Sequence, residues 1–280
     1  MLIGLAFIWG TSFILMKRGL ESFTSYQVAA FRIFISFVIM IPLIIRHVKK
    51  ITKKNIKSLL IVGFIGNCIP AFFFTTAQTQ ITSSLAGILN SLTPIFTMVI
   101  GVLLYRSKVF WVNILGLLIG LFGAAGLIVK DISDFFIGNN WYALFVVAAT
   151  LCYGINVNEV KYKLEDLSGV AIAALGFLFT GPVTGIYLLF SDYSATVATD
   201  NYMMNLGYIV ILALFSSVIA VIGINILIKY TTTIFAASVT YIIPVFAIFW
   251  GMFDGEKFYT IDIFWIILVL LGVYLVNKSH

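Results

Sequence analysis

The chain has 280 residues, 61% of them hydrophobic and only 10% charged, with a formal net charge of +6 and a mean hydropathy of +1.10. A soluble globular chain carries roughly 25% charged residues, so this composition excludes a water-solvated core and makes lipid the expected solvent. The basic excess does not mark a nucleic-acid partner, because most of the lysines and arginines fall in short loops between apolar runs.

About 20 apolar residues in a helix cross the ~30 Å of a bilayer's hydrocarbon. Ten runs near that length follow one another, at residues 1–16, 25–45, 58–79, 82–105, 109–129, 140–160, 168–190, 205–228, 232–253 and 259–277. They are long and lack period-two alternation, which points to helices over a β-barrel. The first run is read as a true span and not as a signal peptide. Its charges, Lys17 and Arg18, follow the apolar stretch, and no small-x-small cleavage site is evident. It is apolar from Met1 onward, so a few residues are expected ahead of it. Cys68 and Cys152 sit inside the third and sixth runs with no His or second Cys at metal spacing, and buried packing is their expected role.

One short pattern occurs twice. Leu85-Ala86-Gly87 is followed by Pro94 and Gly101, and Phe235-Ala236-Ala237 by Pro244 and Gly251, with Ala86, Pro94 and Gly101 each 150 positions before their counterparts. A membrane protein built from two copies of one hydrophobic unit is most often a transporter with its site between the copies. Five spans per copy is an odd number, so the second copy enters the bilayer from the opposite face. The expected fold is therefore an all-α membrane protein of ten transmembrane helices, arranged as two inverted five-helix repeats around a central cavity. The repeats cover residues 1–130 and 139–278. The loop after the second run holds Arg46, Lys49, Lys50, Lys53, Lys54 and Lys57. With it fall Arg106, Lys108, Lys161, Lys163, Lys229 and Lys278, leaving Lys17, Arg18, Lys130 and Lys257 on the other side. The positive-inside rule then puts both termini in the cytoplasm.

These residues resemble a known family. Trp9-Gly10-Thr11-Ser12-Phe13 followed by Lys17 resembles the tryptophan-glycine motif in the first span of the EamA branch of the drug/metabolite transporter superfamily. Phe31-Arg32 is similar to that branch's arginine in the second span. The alanine-to-proline-to-glycine stretches of spans 4 and 9 are similar to its most recognisable segment, and Glu256 matches the glutamate that ends it. Arg106 stands where the first copy often has glutamate. Tyr153-Gly154 and Lys161 repeat the spacing of Trp9-Gly10 and Lys17 at an offset of 144. The resemblance spans essentially the whole chain. It implies ten helices, a cavity lined by spans 1, 3, 4, 6, 8 and 9, and transport of small metabolites across an inner or plasma membrane, often as export.

Polar groups inside apolar spans are the candidate site. Trp9 near mid-span and Tyr153 in its place in span 6 offer ring faces. Asn67, Gln78, Asn90, Ser91, Asn156, Asn225 and Tyr241 offer uncharged donors and acceptors suited to a neutral or zwitterionic substrate, although each could instead bond across helices. Arg32 is either a carboxylate contact in the cavity or a structural clamp on carbonyls. Glu159 is either a proton-coupling carboxylate or an interfacial partner of Lys161 or Lys163. Pro94 and Pro244 are candidate hinges. Gly116 and Gly120, continued by Gly123 and Gly126, form a stripe that favours close packing within the chain over a dimer face.

The only histidines, His47 and His280, lie outside the spans, and no glycine-rich phosphate loop is present. No enzyme, metal or cofactor is therefore expected. The reading is a secondary transporter of a small organic metabolite, with an amino acid or a similar metabolite exported by alternating access. Its drive is the substrate's own gradient or an ion gradient, with protons as the candidate ion. Its expected state is a monomer or weak dimer. The rivals are import or exchange of a sugar or anionic metabolite, for which Arg32 must face the cavity, and a non-transporting membrane subunit.

Overall fold

Lipid offers no water to backbone N–H and C=O groups, so each segment crossing it must satisfy its own. The computed structural model describes residues 1–81, 83–126, 141–253 and 260–277, and among them the ordered elements are all helical. In chain order they are α1 (Leu2–Leu20), α2 (Ser25–His47), α3 (Ile56–Ala77), α4 (Ser83–Asn90), α5 (Thr93–Tyr105), α6 (Trp111–Gly126), α7 (Trp141–Tyr162) and α8 (Gly169–Leu189). After a single turn at Ser194–Val197 come α9 (Tyr202–Tyr230), α10 (Thr233–Ala237), α11 (Val239–Phe253) and α12 (Thr260–Asn277). Six of these (α1, α2, α3, α7, α8 and α9) are long and apolar enough to cross a membrane, and shorter apolar helices fall within the other four runs. Glu256 and Lys257 and the linker between the expected repeats, including Lys130, lie outside the described residues.

Local chemistry sets the helix starts. Thr24 caps α2 in a reciprocal box: its hydroxyl accepts from Gln27 N at 3.3 Å, and Gln27 Oε1 accepts from Thr24 N at 3.0 Å. Ser168 and Thr232 cap α8 and α10 through the N–H groups of Ala171 and Phe235. Both α3 and α9 widen for seven residues into a π-helical segment, Val62–Cys68 and Ala213–Ile219. In α3 the widened turn leads directly into Pro70, which has no N–H to donate backward.

Spans 4 and 9 differ from expectation. Each is two helices, broken at Ser91-Leu92 between α4 and α5 and at Ser238 between α10 and α11. Side-chain hydroxyls beside these breaks bond the local backbone, Thr93 Oγ1 to Asn90 O at 2.8 Å and Ser238 Oγ to Phe235 O at 2.7 Å, in competition with helical continuation. Pro94 therefore lies in the first turn of α5, where a missing N–H removes no helical bond, whereas Pro244 is inside α11. Pro42 and Pro182, which no repeated motif marks, are inside α2 and α8.

Helices pack in recurring combinations. α1 lies on α11 as α7 lies on α5, α1 on α9 as α7 on α3, and α4 on α11 as α10 on α5, while α2 pairs with α8 and α6 with α12. The glycine stripe of α6 faces α12: a Cβ at Gly116 would meet Val276 N at 2.8 Å and Gly272 O at 2.9 Å. Close backbone approach of this kind takes the place of hydrophobic exclusion between helices in lipid. The outer surface is apolar, with Leu103, Leu104 and Trp141 each more than 70% exposed.

One end of the bundle gathers the basic loops. Lys54 Nζ is 3.4 Å from Asp166 Oδ2. Lys161 Nζ donates to the carbonyls of Ile228, Lys229 and Thr231 at 2.7–3.2 Å, and Lys229 Nζ donates to those of Leu164 and Glu165 at 2.6 and 2.7 Å. Lys161 of α7 thus satisfies orphan carbonyls at the end of α9, and Lys229 of α9 ties down the loop that follows α7. α5 ends on Arg106 at φ 53°, ψ 35°, a left-handed position that favours glycine. Arg106→Gly is expected to stabilise the protein by about 1 kcal/mol. A rise in the thermal midpoint of the detergent-solubilised variant checks this, and a fall would show that the arginine side chain outweighs the backbone strain.

Candidate functional site

Where α1, α2, α3, α7, α8 and α9 meet the two helix breaks, the bundle encloses a cavity of about 100 Å³. This is room for several waters or for the polar part of a small solute. Arg32, Ile33 and Phe177 bring spans 2 and 7 into its wall beside the six spans that the resemblance implies.

The wall is built in pairs. Trp9, Ser12, Phe13 and Ile33 line it together with Tyr153, Asn156, Val157 and Phe177, each 144 positions later. Gly66, Asn67, Phe74, Asn90 and Thr93 line it together with Ser216, Ser217, Ile224, Thr240 and Ile243, each 150 positions later. The two π-helical segments face it with Gly66-Asn67 and Ser216-Ser217.

Of the residues singled out in the sequence, Trp9, Arg32, Asn67, Asn90, Tyr153 and Asn156 converge on this cavity. Trp9 Nε1 donates to Ser216 O at 3.2 Å. Arg32 Nε donates to Ser217 Oγ at 2.7 Å and Nη2 to Ser216 Oγ at 3.2 Å, while Nη1 lies 4.0 Å from Met16 Sδ. Asn67 Nδ2 bonds back to Val62 O at 2.9 Å, inside its own widened turn. Asn90 Oδ1 lies 3.4 Å from Thr93 Oγ1. Tyr153 stacks on Phe74 with ring centroids 6.0 Å apart. Asn156 Oδ1 is buried without a protein partner.

The other named residues lie elsewhere. Ser91 Oγ bonds the carbonyls of Gly87 and Thr240, and the Tyr241 hydroxyl donates to Leu117 O at 3.0 Å with its ring against Gly120. Gln78 Nε2 bonds Ser83 Oγ at 3.2 Å, joining α3 to α4. Asn225 is buried outside the wall, its amide atoms without protein partners. Glu159 is 6% exposed and accepts a hydrogen bond from the Tyr105 hydroxyl of α5, so its partner is neither Lys161 nor Lys163. Lys161 is taken by helix-end carbonyls, and Lys163 Nζ lies 6.0 Å from the centre of the Tyr105 ring. Ser216 and Ser217, which orient Arg32, were not among the sequence candidates. The 150-residue offset from Asn67 reaches Ser217 and would have found them.

Comparison with known proteins places the chain. The profile of the EamA-like transporter family matches it twice, over residues 1–129 and 140–278. It is 25% identical over 287 residues to the uncharacterized inner membrane transporter YedA of Escherichia coli K12, covering 98% of this chain and 90% of that one. It is 23% identical over 289 residues to a Chlamydia trachomatis protein named S-adenosylmethionine/S-adenosylhomocysteine transporter, covering 98% and 87%. A protein of known crystal structure shares its fold at a TM-score of 0.76 and 16% identity, covering 99% of this chain and 95% of that one. The resemblance drawn from the tryptophan-glycine and proline motifs thus holds over both halves, and the chain belongs to the EamA-like transporter family.

Proposed function

We propose that the protein is a secondary transporter of a small polar organic metabolite, exporting amino acids or their conjugates by alternating access. The cavity would lie between two inverted five-helix halves, residues 1–130 and 139–278, with both termini in the cytoplasm. The observation that carries this reading is the paired cavity wall. Nine positions of the first half line it with their counterparts in the second, as an axis passing through the site requires. The matched helix pairings and the two widened turns at corresponding places support the same arrangement, and so does the double family match. The basic loops gathered at one end support the orientation.

Amides, hydroxyls and two aromatic faces around a small cavity suit a solute of amino-acid type. A relative named as a transporter of S-adenosylmethionine, itself an amino-acid conjugate, supports that class. Exchange of an organic anion is the second reading, favoured by Arg32 in the wall.

Purified protein in liposomes, offered labelled amino acids, amino-acid conjugates, sugars and organic acids with and without a proton gradient, tests the proposal. Saturable flux of amino acids, reduced about tenfold or more by Trp9→Ala, is expected. Flux that ignores the proton gradient would leave the solute's own gradient as the drive, whereas a response to it would make Glu159 the carboxylate to substitute. Absence of flux across the panel from folded protein would overturn the transport reading.

A further inference from the structure

Nine pairs of corresponding positions line the cavity, but its one charged residue among those described has no charged counterpart. Position 176, the counterpart of Arg32 at the 144 offset, is glycine, and among the described residues no carboxylate lines the wall. Arg32 makes no ion pair among the described residues. Of the five N–H donors of a guanidinium, one meets Ser217, one Ser216 and one only the weak thioether acceptor of Met16. The fork is therefore anchored by its Nε and Nη2 edge and under-satisfied at Nη1. An ionised group inside a membrane persists where it is partnered or faces a polar cavity. Arg32 has hydroxyls for partners and a cavity before it.

We infer that Arg32 is the subsite for a carboxylate of the transported solute, with Ser216 and Ser217 as the residues that hold its orientation. The inference rests on the transporter reading and narrows its substrate class. Consecutive hydroxyls on the π-helical segment of α9 reach one guanidinium and fix its plane, leaving donors to pair with carboxylate oxygens in the planar geometry the fork favours. Trp9 locks the same segment through Ser216 O. Asn156 lines the same cavity, with its Oδ1 buried against Gly66. Solutes without a carboxylate would leave the buried charge unpaired and bind far more weakly.

The test uses matched sets that differ only at the charged groups: L-leucine, L-leucinamide, isoamylamine and 4-methylpentanoate, with the corresponding alanine and phenylalanine sets. Flux in liposomes and ligand-induced thermal stabilisation in detergent are both recorded. Wild-type protein is expected to prefer the acids over the amides by about tenfold or more. Arg32→Gln should bring acid and amide within about threefold of each other, and Ser217→Ala should weaken the preference while keeping the charge. Preference for leucine over 4-methylpentanoate would identify a zwitterion, and the reverse an organic anion; either supports the subsite. Equal handling of acids and amides by wild-type protein, or transport of sugars alone, would overturn the inference and leave transport standing. Stabilisation by the acids alone without any flux would keep the subsite and overturn transport. Should Arg32→Gln fail to fold, the wild-type acid-to-amide ratio still decides.

Discussion

Gly154→Ala is expected to destabilise the protein by about 1–3 kcal/mol, although alanine is the better helix former by about 1 kcal/mol. A Cβ at Gly154 would lie 2.9 Å from Phe96 C and 3.0 Å from both Phe96 Cβ and Thr97 N, so it meets backbone that cannot turn aside. This contact belongs to the seam between α7 and α5, where Asn158 Nδ2 also donates to Thr97 O at 2.9 Å. The corresponding seam of α1 on α11 has the same device: a Cβ at Gly10 would lie 2.6 Å from Phe246 Cβ and 3.2 Å from Ile243 O. The glycines of the Trp9-Gly10 and Tyr153-Gly154 motifs therefore do one job, letting each half approach the other beside the cavity. A Cβ at Gly207, also helical, would meet nothing within 4 Å, which makes that position the control. Gly207→Ala should be neutral or stabilising by up to about 1 kcal/mol. Thermal unfolding of the detergent-solubilised variants reads both. Equal stability of Gly154→Ala and Gly207→Ala would refute close packing at the seam.

Tyr105→Phe should cost about 2–3 kcal/mol, because it removes the hydroxyl that bonds a buried carboxyl. Glu159 is 6% exposed, and its partner sits on α5, in the other half of the chain. Removing both groups in Tyr105→Phe/Glu159→Leu leaves no orphan and should recover most of the loss. The expected signature is strong coupling in a double-mutant cycle, which is the clean measure of a shared interaction. Additive losses in the same unfolding assay would show that the two groups act separately. The pair also lies on the seam at the lysine-rich end of the bundle. If the proposed alternating access holds, weakening it without unfolding should favour a form open at that end and change the flux rate in liposomes.

The positions of the apolar runs were legible in the sequence because a run near 20 residues has one use in a chain this apolar. The observed helices fall where those runs are, with the fourth and ninth divided beside the local hydroxyl bonds of Thr93 and Ser238. Family membership was legible as well, from Trp9-Gly10, Arg32 and the paired Ala-Pro-Gly stretches, of which Gly10 marks a close helix crossing.

What the sequence could not separate was cavity wall from helix contact. In a soluble helix the polar face marks the outside, but lipid is as apolar as a protein core, so periodicity assigns no direction to a polar residue within a span. Asn90 and Ser91 are adjacent, yet Asn90 lines the cavity and Ser91 ties α4 to α11 through Thr240 O. Tyr241 and Thr240 are adjacent too, and Tyr241 turns away to Leu117 O while Thr240 faces the cavity. Those directions follow from how the helices cross, which depends on contacts between residues far apart in the chain. The partners of Arg32 are the strongest case. Ser216 and Ser217 stand 184 and 185 positions away, and only the packing of α2 against α9 brings their hydroxyls to the guanidinium. Composition and spacing thus determined the lipid solvent, the apolar runs and the family, while tertiary packing alone decided which polar groups line the cavity.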